Sequence, residues 1–304
     1  MKNGGSVTQK KPHICVCICT FKRPHLLGRL LEELGRQNTR NFFSYSVVVA
    51  DNDSSRSAET TTTGFARRST LPVTYCVEPQ QNIALVRNRA LANASGDYIA
   101  FIDDDEYPSP DWLYLLLSTC SSACADGVLG PVLPYFELTP PQWALKGRFY
   151  ERPSHATGYR IGMGDARTGN VLFRKSLLDR ADPFNGEFGT GGEDADFFRN
   201  MMARGHCFVW CNEAPVYELV PPGRCTRGYL LRRALLRGNI SCRFNPGPLG
   251  VLKSLLAVVL YALSLPVFLL AGEHHFLKYL IKICDHTGLI LGVLRLNPVK
   301  ERDP

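Results

Sequence analysis

The sequence of 304 residues lacks the glycine motifs by which many proteins bind nucleotides. No Gly-x-Gly-x-x-Gly follows the first predicted strand, which argues against a dinucleotide cofactor. No Gly-x-x-x-x-Gly-Lys-Ser/Thr occurs, which excludes a P-loop NTPase. Any bound phosphate must therefore be neutralised by a metal ion or by side chains, for which Arg87 and Arg89 are candidates.

The eleven cysteines form no metal-binding or redox motif. There is no Cys-x-x-Cys pair, no His stands at zinc-ligand spacing, and residues 1–12 are polar, unlike a signal peptide. Cys15, Cys17 and Cys19 alternate along one predicted strand. We expect reduced thiols packed as small hydrophobic side chains in a cytosolic domain, preceded by a flexible leader over residues 1–12.

The composition is that of a globular protein, with 45% hydrophobic and 21% charged residues. A net charge of +7 is compatible with a nucleic acid, an anionic membrane or a phosphate-bearing substrate. The position of the charge favours the last two, without a nucleic-acid partner, because a basic cluster directly precedes a long apolar segment. The alternative is a solvated basic helix face. The cluster comprises Arg224, Arg227, Arg232, Arg233, Arg237 and Arg243.

Strands and helices alternate four times in the first 120 residues, which predicts an α/β fold with a parallel sheet between two layers of helices. A helix is predicted after Pro24 from the spacing of its leucines, and another over Asn82 to Ala94. Polar residues at the strand ends, Thr20, Asp51 and Asp103 to Asp105, should converge on one crevice. The predicted strands are His13 to Thr20, Tyr45 to Ala50, Val73 to Val77 and Tyr98 to Ile102.

The last of these strands ends in four consecutive acids, Asp103 to Glu106. Adjacent carboxylates repel one another, so a bound cation is their natural partner. Oxygen ligands without nearby His or Cys favour Mg²⁺ or Mn²⁺. The alternative is an acidic turn that caps the helix starting near Pro110.

A second acidic group occupies a glycine-rich turn within Phe188 to Arg199. Glu193, Asp194 and Asp196 lie in the first turns of a predicted helix, where carboxylates also complement the helix dipole. Three glycines just upstream would let the backbone approach a ligand closely. Both a functional and a purely structural interpretation of these acids remain open.

Leu249 to Gly272 is the most apolar stretch, and it carries no charge from Ser254 onward, about the length that spans a bilayer. Pro266 is predicted to interrupt it, and Phe276 to Leu296 is amphipathic. A monotopic or re-entrant attachment, a single span, and helices folded on a soluble domain all remain open. The positive-inside rule would place the basic cluster on the cytoplasmic side.

Taken in order, these motifs resemble family 2 glycosyltransferases of the GT-A fold, especially bacterial exopolysaccharide enzymes of the ExoM-like kind. The resemblance implies a GT-A domain over residues 13–245, with a Rossmann-like mixed sheet and flanking helices. Its nucleotide-sugar half would span 13–125 and its acceptor half 126–245, followed by a membrane-associating helical tail over 246–304. The matching pieces are Cys19 to Pro24, Val49 to Ser55, Arg87 to Arg89, Phe101 to Asp105, Gly169-Asn170 with Phe173-Arg174, Gly191 to Asp194, and Arg232-Arg233 with Arg237 to Asn239.

The resemblance also implies roles for the donor side. Asp103-x-Asp105 looks like the family's Asp-x-Asp motif, with Asp103 near the ribose and Asp105 on the metal that binds the diphosphate. Thr20 and Asp51 resemble residues of the nucleotide pocket, and Asn52 stands where many members have a second Asp. The donor-binding candidates are Thr20, Phe21, Arg23, Asp51, Asn52, Asp53, Arg87, Asp103 and Asp104, and the metal ligands are Asp103 and Asp105.

On the acceptor side, Asp194 of the pair Glu193-Asp194 looks like the catalytic base. A metal that stabilises the leaving diphosphate and a carboxylate that deprotonates the attacking hydroxyl, without a covalent nucleophile, give single displacement with inversion. The candidate residues for binding the acceptor or its diphosphate are Gly169, Asn170, Arg232, Arg233 and Arg237.

The expected reaction moves a hexose from a nucleotide sugar to a polyprenyl-diphosphate-linked glycan at the cytoplasmic face of the inner membrane, with a homo-oligomer as a possible assembly. UDP-glucose or UDP-galactose is expected as donor from the habit of the family. One alternative is a nucleotidyltransferase, although Thr20 to Pro24 lacks the glycines of its phosphate loop. The other is a non-catalytic scaffold that binds a glycan or a nucleotide.

Overall fold

The structure, a computed structural model, describes residues 11–296, so most of the predicted leader over residues 1–12 lies outside the described residues. The chain divides into two compact units. The sheet unit comprises the chain up to Val132 together with Pro153–Gly189 and Glu193–Val216, and the helical unit comprises Leu133–Arg152, Thr190–Gly192 and the chain from Tyr217. The predicted domain bounds at 125/126 and 245/246 stay a prediction.

A seven-stranded mixed sheet with the order β3-β2-β1-β4-β8-β6-β9 forms the centre of the sheet unit. The first four strands along the chain are parallel, as predicted, and β8 runs antiparallel between β4 and β6. The predicted bounds of β1, β3 and β4 are confirmed, and β2 is longer by one residue at each end. The strands of this sheet are β1 (His13–Thr20), β2 (Ser44–Asp51), β3 (Val73–Val77), β4 (Tyr98–Ile102), β6 (Gly127–Leu129), β8 (Asn170–Arg174) and β9 (Phe208–Trp210). Three short strands lie outside it: β5 (Glu106–Pro108), β7 (Val132–Tyr135) and β10 (Val216–Leu219).

Helices cover both faces of the large sheet. On one face lie α1 (Pro24–Leu34), α2 (Glu59–Arg68) and α4 (Trp112–Ser122), and on the other lie α3 (Ile83–Asn93) and α6 (Glu193–Ala203). The leucines whose spacing predicts α1 are all buried, and burial of one such side chain contributes about 2 kcal/mol. This packing fixes the carboxyl ends of the strands, where the candidate site lies.

The eleven cysteines are all free thiols. Five are buried, five are half-buried and Cys124 is exposed. Burial raises the pKa of Cys19 to about 12 and that of Cys76 to about 11. These two thiols therefore stay protonated at neutral pH, as expected of cysteines that act as small hydrophobic side chains.

The helical unit contains α5 (Gln142–Gly147), α7 (Arg227–Ser241), α8 (Gly247–Ala271) and α9 (Glu273–Val293). Within residues 11–296, α8 is the one helix that is long and apolar enough to cross a membrane, and only 6% of its most apolar window is buried. Pro266 lies inside this continuous helix, so the predicted interruption is wrong. A proline removes one backbone hydrogen bond, and the apolar residues on either side continue the helix.

The helices α7 and α9 approach each other closely at two glycines. A methyl group on Gly238 would lie 1.9 Å from the carbonyl oxygen of Asp285, and one on Gly288 would lie 2.2 Å from that of Leu235. Arg237 also donates two hydrogen bonds to the Asp285 carboxylate, at 2.9 and 2.7 Å. The close contact and the ion pair together fix the position of α9 on α7.

We predict that Gly238→Ala lowers the stability of the protein by about 1–3 kcal/mol, because the new methyl group overlaps backbone atoms that cannot move independently. Gly228→Ala is the matched control in the same helix, since no atom lies within 4 Å of its added methyl group. The midpoint of thermal unfolding in detergent measures both effects. Equal midpoints for the two variants would contradict the close approach.

Candidate active site

The carboxyl ends of β1, β2 and β4 place Thr20, Asp51 and Asp103 at one edge of the sheet. Thr20 pairs in register with Asp51, and β4 lies on the other side of β1. The predicted convergence of polar strand ends is therefore present in the sheet unit. Each of these residues is fixed by a different set of contacts.

Arg23 and Thr20 hold the acidic turn after β4. The Arg23 guanidinium donates to Oδ1 of Asp104 at 3.0 Å and to Oδ2 of Asp105 at 3.1 Å. The Thr20 hydroxyl donates to Oδ2 of Asp104 at 2.7 Å. Burial raises the pKa of Asp104 to about 6; Arg23 opposes this shift and the Asp105 charge adds to it. Asp104 is thus a buried anchor for the turn, in which Asp103 is the more exposed and Asp105 is buried against Arg23.

Glu106, which sequence analysis gave no role of its own, shapes the same turn. Its Oε2 accepts a hydrogen bond from the Asp103 backbone N–H at 3.0 Å. Gly169, just before β8, completes the contact, because a methyl group there would lie 2.6 Å from Oε1 of Glu106 and 3.3 Å from Oδ2 of Asp103. Only glycine leaves room for both carboxylates. In the sequence, Glu106 is the fourth acid of the run, and nothing distinguishes its role from that of the other three.

Arg87 of α3 is buried between two groups of carboxylates. Its Nε donates to Oε1 of Glu193 at 3.2 Å, and its Nη2 lies 3.6 Å from Oδ1 of Asp103. The guanidinium also lies over the rings of Phe101 and Phe184. Burial alone would lower the pKa of Arg87, but the charges of Glu193, Asp103 and other neighbours raise it above its usual value. Arg87 therefore stays cationic and joins the acidic turn to the start of α6.

The two acids at the start of α6 have different surroundings. Glu193 is buried and paired with Arg87, whereas Asp194 is half-buried. Oδ1 of Asp194 accepts the backbone N–H of Ala195 at 2.7 Å, which holds the carboxylate at the beginning of the helix. Of the pair, Asp194 is the carboxylate with the greater access to a substrate.

Asp51, Asn52 and Asp53 organise the loop after β2. Asp51 is fully buried and accepts hydrogen bonds from the backbone of Asp53 and Ala58 and from the Tyr75 hydroxyl. The Asp53 carboxylate accepts the Ser55 hydroxyl at 2.6 Å, and hydrogen bonding to Ser55 lowers the pKa of Asp53. These contacts give the loop a fixed shape.

Asn52 connects this loop to the segment before α3. Its Nδ2 donates to the carbonyl oxygens of Glu78 and Gln80, and its Oδ1 accepts the backbone N–H of Asn82. Asn82 in turn caps α3 by accepting the N–H groups of Ala84 and Leu85. The amide of Asn52 thereby helps to set the position of the helix that carries Arg87.

Asn170 braces the sheet from inside. Its Oδ1 accepts the indole N–H of Trp112 at 2.8 Å, and its Nδ2 donates to the carbonyl oxygens of Pro131 and Ala214. The buried amide of Asn170 thereby supports the neighbouring Gly169.

Phe21, directly after the end of β1, is half-buried beneath the ammonium group of Lys22.

Three predicted acceptor residues belong to the helical unit. Arg232, Arg233 and Arg237 are exposed on α7. The charge of Arg237 is balanced by Asp285, and that of Arg227 by Glu273. The basic cluster of the sequence is thus partly neutralised by acids of α9. The roles of the three arginines, like those of the other site residues, stay predictions.

The donor set at the acidic turn fits a divalent ion that is shared with a ligand. Within residues 11–296, no group of three or more His, Cys, Asp or Glu side chains is arranged to hold a metal. Of the two predicted metal ligands, the Asp103 side chain is 45% exposed, whereas Asp105 is buried and accepts a hydrogen bond from Arg23. Mg²⁺ is commonly bound by one or two carboxylates together with substrate phosphates. The residues present therefore match an ion that a diphosphate helps to hold.

We predict that Arg87→Gln destabilises the protein by about 3–5 kcal/mol, because it leaves the buried Glu193 carboxylate without its cation. Arg89→Gln is the control on the same helix, where the half-exposed pair with Glu78 is worth about 0–1 kcal/mol. Urea unfolding measures both, and Glu193→Gln in the Arg87→Gln background should restore part of the loss. Similar costs for the two arginines would contradict the buried pair.

We also predict a pH-dependent difference between the wild type and Asp104→Asn. The raised pKa means that the folded protein binds the Asp104 proton more tightly than the unfolded chain, so this group's contribution to stability falls as pH rises from about 4 to about 6. Asp104→Asn has no carboxyl group at this position, so its stability does not fall in this way as pH rises. Its stability relative to the wild type should rise by about 1 kcal/mol between pH 5 and 7 in urea unfolding with a chelator present. A pH-independent difference would refute the raised pKa.

Comparisons with known proteins show the family of the chain. The family model described as glycosyl transferase family 2 matches residues 15–181. The succinoglycan biosynthesis protein ExoM of Rhizobium meliloti (strain 1021) is 32% identical over 302 residues, which cover 95% of each chain.

Two solved structures share the fold. Mannosyltransferase PcManGT from Pyrobaculum calidifontis, in complex with GDP-Man and Mn²⁺, has a TM-score of 0.64 at 18% identity and covers 96% of this chain and 89% of that one. TarS 1–349 of S. aureus, in complex with UDP-GlcNAc, has a TM-score of 0.54 at 16% identity and covers 95% and 93%. The sheet is that of the GT-A fold, and with the match of the family model the chain belongs to glycosyltransferase family 2.

Proposed function

We propose that this glycosyltransferase moves a hexose from a nucleotide sugar to a lipid-linked glycan, with inversion, in the synthesis of an exopolysaccharide or another surface glycan. The observation that supports it best is the ionic link of Asp103 and Glu193 through Arg87, which brings the acidic turn and the start of α6 together. The similarity to ExoM supports the pathway, and the neighbours with UDP-GlcNAc or GDP-Man support a nucleotide-sugar donor.

The donor would lie along the strand edge of the sheet unit. A Mg²⁺ or Mn²⁺ ion held by Asp103 and Asp105 would neutralise the developing charge of the leaving diphosphate. Arg23 and Thr20 hold Asp104, and through it the turn, so that both carboxylates keep their positions. The proposed nucleotide contacts lie on Phe21 and on the loop of Asp51 to Asp53. We expect UDP-glucose or UDP-galactose as donor.

Asp194 would act as the base. Its carboxylate lies at the beginning of α6, next to Glu193, which Arg87 fixes. A base in this place takes the proton of the acceptor hydroxyl as that oxygen attacks the anomeric carbon, while the nucleoside diphosphate leaves from the opposite side. The bond to the diphosphate breaks as the new glycosidic bond forms, so the configuration inverts.

The helical unit would hold the enzyme at the membrane. The apolar side chains of α8 are largely exposed, Leu270 to 91% and Leu263 to 74%. Such a surface is stable against lipid rather than water. We propose residues 246–304 as the attachment at the cytoplasmic face, with Arg232, Arg233 and Arg237 near the diphosphate of a polyprenyl-linked acceptor. Residues 13–245 would then be the catalytic domain.

Release of nucleoside diphosphate tests the donor and the metal of the proposed reaction. Purified protein in detergent should release nucleoside diphosphate from one sugar nucleotide of a panel when Mn²⁺ is present, and this release should fall to background in EDTA. An assay for free nucleoside diphosphate scores each donor. Release that is equally fast in EDTA would contradict the role of Asp103 and Asp105.

A substitution at Asp194 tests the base of the proposed reaction. Asp194→Asn should lower kcat about 10²- to 10⁴-fold, because the acceptor hydroxyl loses its proton acceptor, while the affinity for the donor stays within about twofold. Asp196→Asn is the matched control, since it removes a carboxylate from the same helix start. Transfer rates and nucleotide titrations measure both variants. Full turnover of Asp194→Asn would exclude this residue as base.

A further inference from the structure

A cluster of stacked side chains lies at the carboxyl end of β9, and the proposed function gives it no role. Nε2 of His155 hydrogen-bonds Oδ1 of Asp165 at 2.8 Å. The imidazole stacks on the Tyr159 ring, with centroids 4.0 Å apart and an angle of 11° between the planes. It packs nearly perpendicular to the Trp210 ring, with centroids 5.4 Å apart. Four side chains thus form one rigid group within the sheet unit.

The register of the sheet places this cluster relative to the acidic turn. A row of paired residues crosses from β4 through β8 and β6 to β9, and its side chains lie in the core layer that α6 covers. Three strand spacings separate the ends of the row, which is about 14 Å. The cluster and the start of α6 therefore lie on the same face of the sheet, at the carboxyl ends of its strands. The row consists of Phe101, Val171, Leu129 and Trp210.

The backbone fixes the position of Tyr159. The N–H of Gly158 donates to the carbonyl oxygen of Trp210 at 2.8 Å, and the N–H of Trp210 donates to that of Tyr159 at 2.9 Å. Arg160 forms an antiparallel bridge with Val209. The segment from Gly158 to Arg160 thus pairs with β9 as an additional strand. These backbone hydrogen bonds hold Tyr159 in place.

The exposed part of the cluster is the ring of Tyr159. Tyr159 is 45% exposed although one face of its ring is covered by His155. Asp165 is buried and hydrogen-bonded to His155, and the space around Gly162 and Gly164 is open, with no atom within 4 Å of a methyl group built on either. Among the described residues, the buried indole N–H of Trp210 has no hydrogen-bond partner.

We propose that Tyr159, supported by His155 and Asp165, is a subsite for a neutral sugar of the acceptor glycan. The C–H face of a pyranose packs on an aromatic ring, and its hydroxyls bond to polar groups at the ring's edge. The row from Phe101 to Trp210, about 14 Å long, is a distance that a short acceptor glycan would cover. The choice of a glycan rests on the proposed function, whereas the ring and its supports are independent of it.

Binding of free glycans without donor tests the subsite. The probes are neutral β-linked hexose tetrasaccharides, titrated against the full chain in detergent and followed by saturation-transfer NMR. We expect Tyr159→Ala to weaken binding about tenfold, whereas Tyr159→Phe stays within about twofold of the wild type. Phe42→Ala is the matched control, because Phe42 is an exposed ring in the loop before β2, at the amino ends of the strands.

The outcomes separate the subsite from the proposed function. Release of nucleoside diphosphate from the donor without acceptor should be equal in the wild type and Tyr159→Ala. A wild type that releases none and shows no rise of its unfolding midpoint with any sugar nucleotide, but binds the tetrasaccharides through Tyr159, would leave the subsite standing and refute the proposed reaction. Unchanged binding by Tyr159→Ala with an unchanged unfolding midpoint, or no binding of any probe by the wild type at millimolar concentration, would overturn the subsite.

Discussion

The buried guanidinium of Arg87 is the group on which the rest of the candidate site depends. It lies 3.2 Å from Glu193 and 3.6 Å from Asp103, over the rings of Phe101 and Phe184. Without a cation, the buried Glu193 carboxylate would be poorly solvated and would be repelled by the charge of Asp103. The acidic turn and the start of α6 therefore share one counter-ion, and a displacement of Arg87 would disturb both.

The elements of the sheet could be predicted because local patterns determine them. Apolar runs between turn residues gave the bounds of β1, β3 and β4, and the spacing of leucines gave α1. The contacts that shape the site could not be predicted, because their partners are distant in the chain. Arg23 and Asp104 are separated by 81 residues, and Arg87 and Glu193 by 106. No local pattern marks Glu106 as the residue that holds the Asp103 backbone.

The same limit applies to the polar residues whose type suggested a ligand. Asp51, Asn52 and Asn170 have side chains suited to binding, yet their hydrogen bonds hold backbone segments of the sheet unit together. In the helical unit, the basic cluster on α7 is partly balanced by acids of α9 that lie 46 to 48 residues away. Pro266 was the reverse case, since a strong local signal for a break was overridden by the apolar residues around it.

The central claim is a single displacement in which one carboxylate at the start of α6 activates the acceptor opposite the leaving diphosphate. The anomeric configuration of the new linkage tests it most directly. The protein would be incubated with an α-linked nucleotide sugar and its acceptor, and the H1–H2 coupling of the product would be measured by NMR. A β-linked product is the predicted result, and an α-linked product would contradict the account, because retention requires a different mechanism.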